Sequence, residues 1–148
     1  MEWINKLHGT TVGLDTAPLI YFIEENPAWI DIVRPFFEAM DRDDFIVVTS
    51  TVTLLEVLVH PLRNNSKELA AEYRDILLNS KLITMEVSNT IAEQAAALRA
   101  SHNIRTPDAI QISAALEAGA TYFFTNDIRL PHISSLHILA VDELKTPD

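Results

Sequence analysis

Thr106-Pro107-Asp108-Ala109-Ile110-Gln111-Ile112-Ser113-Ala114-Ala115-Leu116-Glu117-Ala118-Gly119-Ala120-Thr121-Tyr122-Phe123-Phe124-Thr125-Asn126-Asp127 is the stretch whose reading decides the fold. Its head carries the marks of a helix start: Thr106 as N-cap, Pro107 at the first helical position and an acid in the first turn. An alanine-rich run follows. Gly119 then supplies a residue that takes left-handed backbone without penalty, the usual end of a helix. Immediately after it, residues 121–125 are aromatic or β-branched, which predicts a strand. A helix therefore turns back at a glycine into a buried strand, and an acid waits just past the strand's end.

The same alternation extends outward. Residues 11–14, 45–49, 82–86 and 137–141 read as further strands by length and apolar content. Between them lie helical stretches. One follows Asp15, has Pro18 in its first turn and ends near Asn26-Pro27. A second, over 28–42, contains Pro35, which is expected to kink or split it. A third, over 52–59, is expected to stop at Pro61. Asn65-Ser66-Lys67-Glu68 resembles a capping box that opens a fourth, over 65–79, and a fifth covers 90–101. Strands separated by helices imply parallel pairing with right-handed crossovers. The expected fold is a three-layer α/β/α domain around a central parallel sheet of about five strands, with residues 1–148 forming one domain.

Composition bounds the function. The chain has 148 residues, 48% of them hydrophobic, which suffices for one well-filled core. It contains no cysteine, so disulfides and thiolate metal sites are excluded. No apolar run is long enough for a membrane span, and Met1-Glu2-Trp3-Ile4-Asn5-Lys6 lacks the pattern of a secretion signal. The expected location is the cytoplasm. Three glycines leave little room for a phosphate-cradling loop. The formal charge of −10 disfavours a high-affinity binder of nucleic acid, because phosphate backbones prefer positive surfaces. Bound divalent cations reverse that local field.

The acids carry the chemistry. Asp15 follows the first strand, Glu56 sits in the helix after the second, Asp108 opens the helix before the fourth, and Asp127 follows the fourth. Open parallel sheets build their sites at the carboxyl ends of the strands. Carboxylates brought together there repel by roughly 3 kcal/mol per pair at ~5 Å and an effective dielectric of ~20. Hard cations such as Mg²⁺ or Mn²⁺ neutralise such a cluster and activate water for attack on phosphorus. Replacing Asp108 by Asn should accordingly relieve repulsion in the cation-free protein.

Each acid also has a structural reading. Asp15 can cap the helix after it, Asp108 can balance a helix N-terminus, and Asp127 can be a turn acid. Glu56 lies among Leu54, Leu55, Val57, Leu58 and Val59, where an unpaired acid is costly if buried. His60, four residues after Glu56, lacks the second histidine of a zinc motif and reads as structural. The run Asp41-Arg42-Asp43-Asp44 reads as a solvated helix end. Arg105 and Arg129 flank two of the acids and suit either RNA phosphate or ordinary ion pairing. Tyr21, Phe22, Phe36 and Phe37 read as core or interface aromatics.

Four motifs in order resemble the PIN-domain family: Gly13-Leu14-Asp15-Thr16 with Leu19-Ile20, Thr53-Leu54-Leu55-Glu56-Val57, Pro107-Asp108-Ala109-Ile110-Gln111-Ile112-Ser113-Ala114-Ala115, and Thr125-Asn126-Asp127. The match runs from about Thr11 to Val141. The resemblance implies a PIN fold, one or two Mg²⁺ or Mn²⁺ ions, and hydrolysis of RNA phosphodiester bonds. Asp15, Glu56, Asp108 and Asp127 would be the catalytic acids and metal ligands, and Asn126 or Thr125 polar support at the variable fourth motif. Thr16 would hydrogen-bond within the cluster. Small members are commonly toxins of toxin–antitoxin pairs, which implies an antitoxin partner and a homodimer. Trp29, Phe36, Phe37 and Met40 are the apolar material expected to serve the dimer. Two other readings compete: a non-catalytic PIN-like module that binds RNA or protein, and a phosphatase with Asp15 as nucleophile. The second lacks a general acid, because position 17 is Ala17.

Overall fold

The computed structural model describes residues 1–145. After a short helix α1 (Glu2–Asn5), the chain runs β1 (Thr11–Leu14), α2 (Thr16–Ile23), α3 (Ile30–Asp41), β2 (Ile46–Ser50), α4 (Thr51–Arg63), α5 (Lys67–Leu78), β3 (Ile83–Met85), α6 (Asn89–Ser101), α7 (Thr106–Glu117), β4 (Tyr122–Thr125) and β5 (His137–Ala140), and a 3₁₀ turn follows at Val141–Leu144. The five strands pair in the order β3-β2-β1-β4-β5 and every pair is parallel. The sheet grows in one direction from β1 through β2 to β3, and β4 then returns to the other side of β1. The carboxyl ends of β1 and β4 therefore flank a topological switch point, the usual place for a site in such sheets.

Alternation along the strands fills two cores. Val12, Leu14, Val47 and Phe124 face α1, α3 and the inner sides of α4 and α5, where Phe36, Phe37 and Tyr73 are buried. Phe123 faces the other way, into a second cluster with Ala109, Ile112 and Ala115 of α7 and Ala95 of α6. The small side chains of α7 let it lie close on the sheet. A Cβ built at Gly13 would stand 2.5 Å from the Ala115 Cβ and 2.8 Å from Phe123 Cδ1. That close approach sets the distance between the last turn of α7 and β1.

The expected architecture holds, with local differences. Pro35 lies inside α3 without splitting it. Six buried side chains, Phe36 and Phe37 among them, anchor that helix on both sides of the lost hydrogen bond. Pro61 does not end α4, which runs to Arg63, because Pro61 is itself buried on the same face as Val57. The capping box does not form. Asn65 takes a left-handed φ of 52° and serves the turn, while Ser66 is the N-cap and makes no side-chain cap. Thr106 is already helical, and Arg105 occupies the N-cap position. Gly119 closes α7 as expected, at φ 80°, with Ala120 N–H donating to the Ala115 carbonyl at 2.9 Å. Phe36, Phe37 and Met40 are buried in the monomer, so they cannot supply a dimer face. Among the described residues, no helix is long and apolar enough to cross a membrane.

Candidate metal centre

Asp15 leaves β1 and caps α2 at once. Its Oδ1 accepts from the Thr16 N–H at 2.8 Å and its Oδ2 from the Thr125 hydroxyl at 2.7 Å. The capping reading of this residue holds, and the cap fixes where the carboxylate points. Burial pushes the Asp15 carboxyl up to about 6; the two hydrogen bonds oppose that rise, and the charges of Asp108 and Glu56 add to it. The Asp108 and Glu56 contributions mean that both carboxylates lie near enough to act on Asp15.

All four sequence-predicted acids line one cleft of about 480 Å³, together with Thr16, Tyr21 and Arg129. They are differently engaged. Glu56 is exposed and its Oε1 accepts from the Thr16 hydroxyl at 2.8 Å, so it is neither unpaired nor enclosed by its apolar neighbours. Helix α4 turns Leu54 and Val57 inward and sends Glu56 toward the cleft. Asp108 pairs with Arg105 at 3.2 Å. Asp127 accepts from Arg129 at 3.0 Å and from the Arg129 backbone N–H at 2.9 Å. The Arg129 guanidinium holds the Asp127 carboxyl below the usual range. Asp108 thus has a cationic partner, whereas Asp15 has only hydrogen-bond donors.

Among the described residues, no three acid or imidazole groups close into a cage around one ion. The donor set still fits Mg²⁺ or Mn²⁺. Mg²⁺ keeps several waters and is commonly held by one or two carboxylates, and a half-buried acid that shares a cleft with three more is chemistry that a cation resolves. Asn126 is occupied elsewhere: its amide donates to the Tyr21 hydroxyl at 3.1 Å and accepts from Asp142 N–H at 3.0 Å. Thr125 is the polar support of the cluster. His60 is exposed and lies beside the Asn64 amide at 3.1 Å. Asp43 and Asp44 pair with Lys81 and Arg42 at the end of α3, as a solvated helix end should.

Sequence reasoning missed the layer beneath the acids. Ser50 donates to Gln111 Oε1 at 2.6 Å, the Gln111 amide donates to Thr53 at 2.5 Å and to Thr16 at 3.3 Å, and Thr49 donates to the Leu14 carbonyl at 2.9 Å. Thr49, Ser50, Thr53 and Gln111 are all buried. The available signal was Gln111 between Ile110 and Ile112. Gln111→Leu keeps the volume but leaves Ser50 without its acceptor, at a cost of about 1–3 kcal/mol. It is expected to lower any metal-dependent activity of the cleft roughly 10–100-fold by loosening Thr16 beneath Glu56. A variant with parental kcat and KM would show that this layer serves packing alone.

The PIN domain model matches residues 12–136. The chain belongs to the PIN-domain family. Several solved PIN-like structures share its fold at low sequence identity. The VapBC2 complex of Rickettsia felis bound to a promoter DNA fragment matches with a TM-score of 0.70 and 21% identity over 88% of this chain and 98% of the other. A toxin–antitoxin complex from Klebsiella pneumoniae gives 0.67 and 21%, over 86% and 95% of the two chains. Mycobacterium tuberculosis VapC20, a toxin that cleaves the sarcin-ricin loop, gives 0.64 and 17%, over 77% and 87%. No curated protein matches. In this PIN domain Asp15, Glu56, Asp108 and Asp127 line one cleft.

Proposed function

We propose that this PIN domain is a Mg²⁺- or Mn²⁺-dependent endoribonuclease, acting in the cytoplasm as the toxin of a toxin–antitoxin pair. The observation that carries the reading is Asp15. It is a half-buried carboxylate at the sheet's switch point, with a pKa raised by desolvation and three further acids lining the same cleft. Asp15, Glu56, Asp108 and Asp127 would hold the cation or its bound waters. When bound, the cation neutralises these carboxylates and supplies Lewis-acid activation of water and phosphate. The protein's own part is orientation. Thr125 and the Thr16 N–H fix both oxygens of Asp15, the Thr16 hydroxyl fixes Glu56, and Gln111 holds Thr16 from below. Arg105 and Arg129 stand on the cleft wall and offer positive charge in a chain of net charge −10.

The partners on this reading are RNA, an antitoxin polypeptide and a second copy of the chain. Leu55, Val59 and Leu62 support docking, because they are exposed at helical spacing along α4 beside Glu56. The phosphatase alternative gains nothing from the site, where Ala17 lines the cleft at the position of the needed acid.

The experiment is cleavage of labelled RNA by the purified protein with Mn²⁺, with Mg²⁺ and with EDTA. Chelation and Asp108→Asn are each expected to cost at least ~100-fold in rate, since a cation contributes several kcal/mol. Induction of the parent in a bacterial host is expected to arrest growth, and induction of Asp108→Asn is not. Cleavage that persists through both treatments in a contaminant-free preparation removes the reading.

A further inference from the structure

Beside the cleft lies a second hollow of about 300 Å³, lined by Arg99, Arg105 and Arg129 and sharing Asp108 and Asp127 with the cleft. Three of the chain's eleven basic residues meet there, in a protein of net charge −10. Arg99 is steadied by its Nε, which donates to the Ile104 carbonyl at 3.0 Å, and it has no acidic partner among the described residues. Arg105 and Arg129 are 72% and 81% exposed at the side chain, yet each is taken by an acid of the site. The pairs are not independent. The charge of Arg105 also acts on Asp127, and that of Asp108 on Arg129, so the four groups form one array.

Such an array has two stable partitions. Without a cation, each guanidinium rests on its carboxylate. A divalent cation beside Asp108 and Asp127 draws on the same oxygen lone pairs and repels both guanidiniums. Exposed guanidiniums move at little cost, because surface ion pairs are weak. Their planar forks suit a phosphate, and Arg99 already waits in the same hollow.

We propose that this hollow seats an RNA backbone phosphate flanking the cleaved bond, gripped by Arg99, Arg105 and Arg129. Arg105 and Arg129 become free for it as a divalent cation engages Asp108 and Asp127. The inference rests on the nuclease reading above and adds a binding order to it: the cation first, RNA second. It also explains how so acidic a chain holds RNA at all, for its phosphate grip is assembled only once its acids are neutralised.

The test uses the full chain and two probes: Mn²⁺ alone, by calorimetry, and a phosphorothioate-linked 2′-O-methyl ribo-oligonucleotide chosen to resist cleavage, by fluorescence anisotropy. Arg105→Ala and Arg129→Ala are expected to bind Mn²⁺ roughly two- to fivefold more tightly than the parent, because they no longer compete for the acids. Arg99→Ala removes the same charge from the same hollow without freeing an acid and leaves Mn²⁺ affinity near parental. For the oligonucleotide, Mn²⁺ should tighten parental binding at least about fivefold. Each of the three variants should lose most of that gain and shorten the salt slope by about 0.7. Arg34→Ala, which pairs with Glu25 away from both hollows, should change neither measurement.

Parental Mn²⁺ affinity in Arg105→Ala and Arg129→Ala, or unchanged salt slopes in the arginine variants, overturns the inference. If the parent cleaves RNA with Mn²⁺ while these variants match it in every binding measurement, the nuclease reading stands and this inference falls alone. A parent that neither binds Mn²⁺ nor cleaves RNA removes both.

Discussion

Asp15→Asn is expected to lower Mn²⁺-dependent RNA cleavage by about 100- to 1000-fold and, in EDTA at neutral pH, to raise the melting temperature. The first effect follows from the loss of the best-oriented acid of the cleft, since the cation it would hold contributes several kcal/mol. The second follows from its protonation. In the folded chain the Asp15 carboxyl is raised from 3.8 to about 6, so between those values the native state binds more protons than the unfolded chain. Stability from this group is therefore present below about pH 4 and is lost as pH rises through 6. Asparagine stays neutral throughout. The variant and parent should melt together near pH 4 and separate as pH rises, by up to ~3 kcal/mol above pH 6. For a chain of this size, that is about 5–10 °C. Saturating Mn²⁺ should reverse the order, because the parent gains binding free energy in its folded state. Thermal melts across pH, with EDTA and with Mn²⁺, read all of this. A variant that melts below the parent at pH 7.5 in EDTA would mean that Asp15 is a stabilising cap with no charge to resolve.

Gly13→Ala is expected to be the most damaging single methyl in the sheet. The added Cβ meets the Ala115 Cβ at 2.5 Å and Phe123 Cδ1 at 2.8 Å, and an alanine Cβ on a helix backbone has no rotamer by which to yield. Overpacking of this kind costs about 1–3 kcal/mol, or roughly 3–10 °C in melting temperature. Relief requires α7 to move off β1, which carries Asp108 away from Asp15, so cleavage should fall further than stability alone explains. The double variant Gly13→Ala with Ala115→Gly returns the space at the cost of a helical glycine, ~1 kcal/mol. Its recovery of both melting temperature and activity checks the argument. A single variant that melts within a degree of the parent would show that the contact relaxes freely.

The parts of this molecule that were legible in the sequence are those governed by local chemistry. Gly119 between an alanine-rich helix and the run Tyr122-Phe123-Phe124 announces a turn that the structure contains. Asp15, Asp108 and Asp127 were findable because each sits close to the end or start of an element with a clear signature, and Glu56 because it interrupts an apolar helix; one cleft gathers all four. Proline overstated the breaks: Pro35 does not split α3, and Pro61 does not end α4. Pro35 and Pro61 break helices when nothing else holds them, but Ile32, Val33, Phe36, Phe37 and Val57 are buried around them and outweigh a single lost hydrogen bond. Phe36, Phe37 and Met40 show the limit of periodicity, which marks an apolar face without saying whether the same chain or a second copy covers it. The network of Thr49, Ser50, Thr53 and Gln111 was out of reach for a different reason. Its members come from three elements, and short polar residues on buried faces have no pattern until the register of the sheet is known.

Tyr21 and Trp29 stack at 4.2 Å between ring centres, Tyr21 receives the amide of Asn126 at the cleft, and the Trp29 indole donates to Asp142 at 2.6 Å. The chain's other tryptophan, Trp3, lies against Phe36 and Phe124 in the core. Nature has thereby placed one fluorophore at the door and one in the foundations. Emission from Trp29, stacked on the cleft residue Tyr21, is expected to respond to occupancy of the cleft, and that of Trp3 to opening of the core. With Trp3→Phe, cation arrival becomes visible in an unlabelled protein; with Trp29→Phe, the same instrument records unfolding.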